Sequence, residues 1–486
     1  MKRINYFAMS LLASAALAFT GCSSEDLVGG ETNKNEASNA YYMTLTVVTP
    51  QSTGTRTAEN NPNNDRVSAE AQETTITNGT IYVYDGESCV FKKSLVATDW
   101  VDGNTTNATK PIPVSVNNVT TNKEYQVYFV ANTADYYAIK YGDPLAKTSA
   151  NILDDYATAS TANKFIMFNR NDEKLKASHS TVTFTEASKD QNSKVSAGTI
   201  YLDRVVARVD APTVNAPKIT KKENTTTTTN IDQIESIEYQ GYALANLAKT
   251  ANLVQTWNEK SDPAWSLAIP NSMDYDKATA TYGGPYNDPL KASFNETDHN
   301  YIFENTTSVK ENATAIYFQF KVNLKTTAGT KYDFPGTFYR YGHKIYTSLE
   351  DLYNESLTNV SVSWPFVTAT GAVTSADEAI KSITGTDGNI DETKVEAMRE
   401  KFHINVYVGG ITYYKAQIDD NNNSYEKYNT WNILRNTIYS MTVNSIYDLG
   451  KDVPNGPDPT EEYNYWMDVT VTVNNWVKND QTVDLQ

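Results

Sequence analysis

Cysteine and histidine are scarce. Two Cys and four His in 486 residues leave too few thiols for a zinc ribbon, a disulfide framework or an iron–sulfur cage. The four His, His179, His299, His343 and His403, stand far apart and form no HxH or HExxH spacing, so neither a metal nor a cofactor is expected. Basic charge is short as well: 41 Lys and Arg against 58 Asp and Glu set a formal net charge of -17. A surface that acidic repels phosphate backbones, which argues against nucleic acid as a partner. No GxSxG or P-loop pattern occurs, and carboxylates are too plentiful to nominate a pair for catalysis, so no enzyme and no catalytic residue is expected. The abundant residues are those that favour strands: 33 Tyr against 15 Phe, and roughly one residue in eight is Thr.

The one sustained apolar run lies at the start. Lys2 and Arg3 precede the 14-residue stretch from Tyr6 to Phe19, too short for a bilayer span and right for a signal-peptide core. Phe19-Thr20-Gly21-Cys22 then places small residues before a thiol, the pattern of a lipoprotein signal in which Cys22 is acylated. The alternative is an ordinary signal peptide with an incidental Cys, since Phe19 stands where such motifs carry Leu. The polar stretch after Cys22 has the composition of a tether. Cys89, the other thiol, has no His or Asn nearby in sequence and is expected to be a small buried hydrophobe.

Alternation organises most of the chain beyond the tether. In YYMTLTVVTP, Met43, Leu45 and Val47 share one face and Pro50 ends the run, which predicts a strand. Next comes a polar segment with Gly54, Asn60, Asn61 and Pro62 that holds Arg56 and then Arg66, either of which suits a protease that needs extended backbone. Strand patterns at 80–91, 123–132, 180–187 and one long run at 198–212 are separated by turn residues. After Pro212 and Pro217 the strand signals resume, and one helix is predicted at 391–402 from Asp391 and Glu392 at its start and Val395, Met398 and Phe402 on one face. Residues 419–430 carry Asp419, Asn421 and Asn423 at calcium-loop spacing but lack the Gly and the terminal Glu, so a solvated hairpin loop is expected. The fold class is all-β, two transthyretin- or immunoglobulin-like β-sandwich domains in tandem with minor helices, because a parallel α/β sheet would need helices between its strands.

The end of the chain is the most informative part. Residues 451–465 hold three Pro and one Gly among Asp and Glu, the composition of an extended linker. Beyond it Val469, Val471 and Val473 alternate with Thr470 and Thr472, followed by Trp476, Val477, Val483 and Leu485. Such a strand either closes its own sheet or leaves the domain.

Taken together these features resemble the fimbrillins, pilus subunits of Bacteroidales-type bacteria, and among them the shaft subunit of a short fimbrium. The resemblance is carried by the signal ending at Cys22, the strand Tyr41 to Thr49 followed by Arg56, TIYVYD (80–85), YLDRVVARVD (201–210), GGITYYKAQIDD (409–420), residues 431–454 and the terminal strand. It implies export as an outer-membrane lipoprotein and cleavage between Arg56 and Thr57 by an arginine-specific extracellular protease. That cut would remove the strand bearing Met43, Leu45 and Val47. The terminal strand of another copy, with Val469, Val471, Val473, Trp476, Val477, Val483 and Leu485, would then fill the groove. The implied division is a signal peptide at 1–21, a removed segment at 22–56, an acceptor domain at 57–210, a second domain at 211–463 and a donor strand at 464–486. Implied partners are other copies in a head-to-tail filament, anchor and tip subunits, the protease, and host or bacterial surface ligands in adhesion and biofilm formation. A surface glycan-binding lipoprotein, and a tip or anchor subunit of the same fimbrium, are the alternatives.

Overall fold

The computed structural model describes residues 40–48, 69–96, 112–132, 141–144, 159–170, 180–215, 217–220, 231–248, 251–258, 266–268, 275–276, 294, 297–307, 309–358, 367–368, 371–372, 375–418, 431–454 and 467–475. The first half is built from β1 (Tyr41–Val48), β2 (Asn78–Asp85), β3 (Ser88–Val96), β4 (Ile112–Val116), β5 (Glu124–Ala131), β6 (Met167–Asn169), β7 (Ser180–Thr183) and β8 (Val195–Arg204). β4, β1 and β8 lie side by side, as do β3, β2 and β5, with β6 and β7 both paired to β5. β8 joins the two groups: Val195 to Tyr201 runs beside β1, and Leu202 to Arg204 pairs with β6. Both groups contribute to one core, with Met43, Leu45, Ile81, Val83, Val127, Phe129, Phe184 and Leu202 each at 0–1% exposure. The chain is all-β in its main architecture.

After β8 come β9 (Val206–Val209), β10 (Thr213–Val214), β11 (Ile234–Ala245), β12 (Leu247–Ala248), β13 (Thr256–Asn258), β14 (Ser266–Ala268), β15 (Tyr275–Asp276), β16 (Asn300–Phe303), β17 (Asn305–Thr307) and β18 (Ala315–Leu324). They are succeeded by β19 (Phe338–Tyr341), β20 (Lys344–Tyr346), α1 (Leu349–Thr358), β21 (Val367–Thr368), β22 (Gly371–Ala372), α2 (Ala376–Ile383), α3 (Glu392–Phe402) and β23 (Ile404–Tyr407). β24 (Ile411–Gln417), β25 (Trp431–Ile433), β26 (Thr437–Ile446) and β27 (Met467–Asn475) complete the described elements. One sheet places β26 between β27 and the β9–β10 line, with β16 outside β9; β18 is central in another, between β11 and β24. Their facing residues form the second core, among them Val209, Ile302, Phe318, Phe320, Tyr414, Tyr439 and Met441.

Between β18 and β24 the chain inserts a module of its own. β19 pairs with β20 and β23, and α1 to α3 cover a separate core of Tyr339, Leu349, Leu352, Ile383, Val395, Met398 and Val406. The helix expected from the sequence at 391–402 is α3: the Asp391 side chain accepts from the Thr393 amide, Val395 and Met398 are buried, and His403 ends it at φ 52. Phe402 is described in backbone only. α1 and α2 have no counterpart among the elements expected from the sequence.

The long strand expected over 198–212 is two strands. β8 ends at Arg204 and β9 starts at Val206 in a different sheet, with the Val205 amide donating to Ile166 O at 3.1 Å. Val205, Val206, Ala207 and Val209 are all at 0% exposure, so both faces are covered here and alternation carries no information about where the strand breaks.

The crossover is held by buried charge. Glu73, at 0% exposure, ends the helical turn begun at Ala71 and accepts from Arg208 Nη1 at 2.8 Å and from the Tyr301 hydroxyl at 2.7 Å. Arg208 also bonds Asp210 at 2.7 Å, and Arg204 Nε donates to Glu73 O at 2.7 Å. One turn thus contacts β8, β9 and β16. Ala248, Ala251, Leu253 and Val254 come from beyond the crossover yet pack into the first core.

Candidate functional site

β1 is an interior strand. It pairs antiparallel with β4, Tyr41 opposite Val116 through Leu45 opposite Ile112, and parallel with β8, Met43 beside Val195 through Val48 beside Tyr201. Its inward residues Met43, Leu45 and Val47 are each at 0% exposure and Tyr41 at 6%, while Tyr42, Thr44, Thr46 and Val48 are half-buried. The Tyr41 ring lies 5.6 Å from that of Phe184, with Lys189 Nζ 5.4 Å from its centroid. Taking β1 out would expose a slot with two unpaired backbone edges and an apolar floor, the kind of template that an added strand completes.

β27 closes its own sheet, and among the described residues it pairs with β26 alone. The register sets Val469, Val471 and Val473 opposite Val443, Met441 and Tyr439, and Met467 opposite Ile446. Those four β26 residues are buried, at 0–1% exposure. The apolar positions Met467, Val469, Val471 and Val473 repeat the spacing of Tyr41, Met43, Leu45 and Val47. Cys22, Arg56, Thr57, Arg66, Trp476, Val477, Val483, Leu485 and the 419–430 loop lie outside the described residues.

Sequence reasoning missed the stretch between β26 and β27. Lys451 and Tyr413 exchange both backbone hydrogen bonds at 2.8 Å, and the Tyr407 hydroxyl donates to Gly450 O at 2.9 Å. Gly450 permits this approach: a Cβ there would lie 2.2 Å from Tyr413 O, a backbone atom. Gly450→Ala is therefore expected to cost about 1–3 kcal/mol through forced backbone displacement, read as a lower melting temperature of the intact chain. The only local signal was a Gly between Asp448 and Asp452.

Cys89 sits at 1% exposure, its thiol donating to Phe91 O at 3.6 Å. Burial pushes that thiol up to about 11, which keeps it protonated and unreactive at neutral pH.

Residues 405–482, from β23 through β27 and beyond, match the family model described as major fimbrial subunit protein type IV, fimbrillin, C-terminal. No curated protein matches the chain. Among solved structures, a fimbrilin from Porphyromonas gingivalis W83 is 15% identical with a TM-score of 0.45, over 90% of this chain and 99% of that one. A Parabacteroides distasonis ATCC 8503 protein named for cell adhesion is 13% identical with a TM-score of 0.40, over 92% and 98%. A fimbrial assembly protein from the same organism is 13% identical with a TM-score of 0.24, over 59% and 100%. The likeness to a fimbrillin family model is thus confined to residues 405–482.

Proposed function

We propose that this chain is a fimbrillin, a shaft subunit of a cell-surface fimbrium that polymerises by strand exchange. Export as a lipoprotein acylated on Cys22 brings the precursor to the outer membrane. An arginine-specific extracellular protease cuts after Arg56 and releases the lipid together with the strand bearing Met43, Leu45 and Val47. The terminal strand of a second copy enters the vacated place, and because slot and donor are different surfaces, the contact propagates as a filament and does not close.

The observation that carries this reading is an asymmetry of pairing. Among the described residues β1 has a strand on each side, whereas β27, with the same spacing of apolar positions, has one. A donor that moves from a sheet edge into the slot exchanges one ladder for two and can bury its apolar side chains at about 1.5–3 kcal/mol each. Joints made this way should persist in SDS. Anchor and tip subunits would cap such a filament, with adhesion to host or bacterial surfaces and biofilm formation as its outcome.

Purified protein treated with trypsin is expected to give an SDS-resistant ladder. A chain truncated after Pro459 should give monomer only, as should one carrying Arg56→Ala and Arg66→Ala together. A truncated chain that polymerises as well as the full one would overturn strand exchange. N-terminal sequencing of filaments should begin at Thr57; a start after Arg66 would move the cut to the second Arg. Sugar binding by the uncut monomer, with no ladder, would favour the glycan-binding reading.

A further inference from the structure

The eight residues Tyr447 to Pro454 leave β26 and are fastened to the inserted module and to β24. The Tyr414 hydroxyl donates to Asp448 O at 2.6 Å, and Arg340 of β19 meets the Asp448 carboxylate at 3.2 Å. Leu449 is at 0% exposure and Val453 at 5%. The strongest tie is at Asp452, 6% exposed. Its Oδ2 accepts from Arg399 Nε and from the Val406 amide, both at 2.7 Å, and its Oδ1 accepts from Asn405 Nδ2 at 3.0 Å. Arg399, on α3, is itself 2% exposed, and its other two nitrogens donate to Glu392 at 2.9 Å and Val406 O at 3.1 Å. A buried guanidinium with every nitrogen bonded is a rigid fixture.

We propose that Asp452 and Arg399 are positioning residues for strand exchange, clamping the chain at Lys451–Pro454 so that the arm that leaves begins after Pro454 and β26 keeps its place. This rests on the exchange reading above and adds where the moving part starts. A strand pulled from a sheet edge transmits tension to the next fixed point in the chain. Without the clamp that point would retreat to Asp448, leaving only its bonds with Tyr414 and Arg340 to shield the end of β26, the strand that β9, β10 and β27 all use. The clamp also sets reach. The twelve residues 455–466 span at most about 40 Å. Freeing 449–454 would lengthen the tether to about 60 Å, lowering the effective concentration of donor at its slot and loosening subunit spacing. The inserted module, which makes no part of the slot, thereby acquires a role: α3 and β23 hold the base of the arm.

The test compares amide exchange in the full-length monomer and in trypsin-grown filaments. The Lys451 and Val406 amides, bonded to Tyr413 O and to Asp452, are expected to keep their protection within about twofold on polymerisation, while β27 amides change. Asp452→Asn leaves Arg399 paired with Glu392 at 2.9 Å, so its buried charge is not stranded. Its filaments should show Lys451 exchanging at least tenfold faster and a broader distribution of subunit spacing by electron microscopy. Restoring the carboxylate as Asp452→Glu should recover part of the protection. Loss of Lys451 protection in wild-type filaments, or wild-type spacing in Asp452→Asn filaments, would overturn the clamp while leaving strand exchange intact. Failure of the wild type to polymerise would remove exchange, and the clamp with it.

Discussion

Leu45→Ala is expected to lower the stability of the uncut chain by about 2–5 kcal/mol, the range for emptying a fully buried leucine site, and, under the proposed removal of β1, to leave the assembled filament unchanged. Leu45 is at 0% exposure in the middle of β1, opposite Ile112 and flanked by Met43 and Val47. The neighbouring strands pair with it on both sides, so the sheet can collapse little into the space left behind. In the uncut protein the loss appears as an earlier urea midpoint. Under the proposed maturation, cleavage at Arg56 would discard residue 45, and the temperature at which the SDS ladder dissociates should then match the wild type. Filaments softened as much as the precursor would show that β1 stays in the assembly, which is incompatible with a donor strand in its place. The same substitution thus separates a strand that is temporary from one that is permanent.

Legibility in the sequence followed burial geometry. β1 was readable because one face is buried and the other half-buried, so apolar and polar residues alternate along Tyr41–Val48. α3 was readable through Asp391 as its cap and the spacing of Val395 and Met398. The break at Val205 was hidden because both faces are covered. The parallel pairing of β1 with β8 joins residues about 150 positions apart, and no local pattern encodes a partner at that distance. The charged ties were hidden for a related reason. Arg399 and Asp452 are 53 residues apart, Glu73 and Arg208 are 135 apart, and in a chain with 58 acidic residues each reads as surface charge. The candidate slot and donor could be named from alternation. That β1 lies between two strands while β27, among the described residues, lies beside one is a fact of topology, and so is the anchoring of residues 447–454.

Glu73→Gln is expected to cost roughly 3 kcal/mol, the low end of the range for removing one partner of a buried ion pair. Arg208 would lose the carboxylate at 2.8 Å but keep Asp210 at 2.7 Å, so its charge is not stranded. Tyr301 would still find an acceptor in the amide oxygen. The pH dependence gives this pair a signature that a packing defect lacks. Burial alone would raise the Glu73 carboxyl, yet the hydrogen bond and charge of Arg208, with further bonds from Tyr301 and the Glu70 amide, outweigh it and hold the group below its ordinary 4.5. A carboxyl depressed in the folded state contributes its full stabilisation above its unfolded value and loses it as pH falls through the lower folded value. The wild type should therefore weaken in acid below about 4.5, whereas the Glu73→Gln chain carries an amide that takes up no proton at that position. The gap between the two urea midpoints should be widest at pH 7 and narrow steadily toward pH 3. A gap of the same size at both ends would mean that the cost comes from lost shape at the crossover and that charge contributes nothing there. Because this turn contacts β8, β9 and β16 together, the gap should also appear in probes of both domains at the same urea concentration, as expected where two sandwiches share a buried junction.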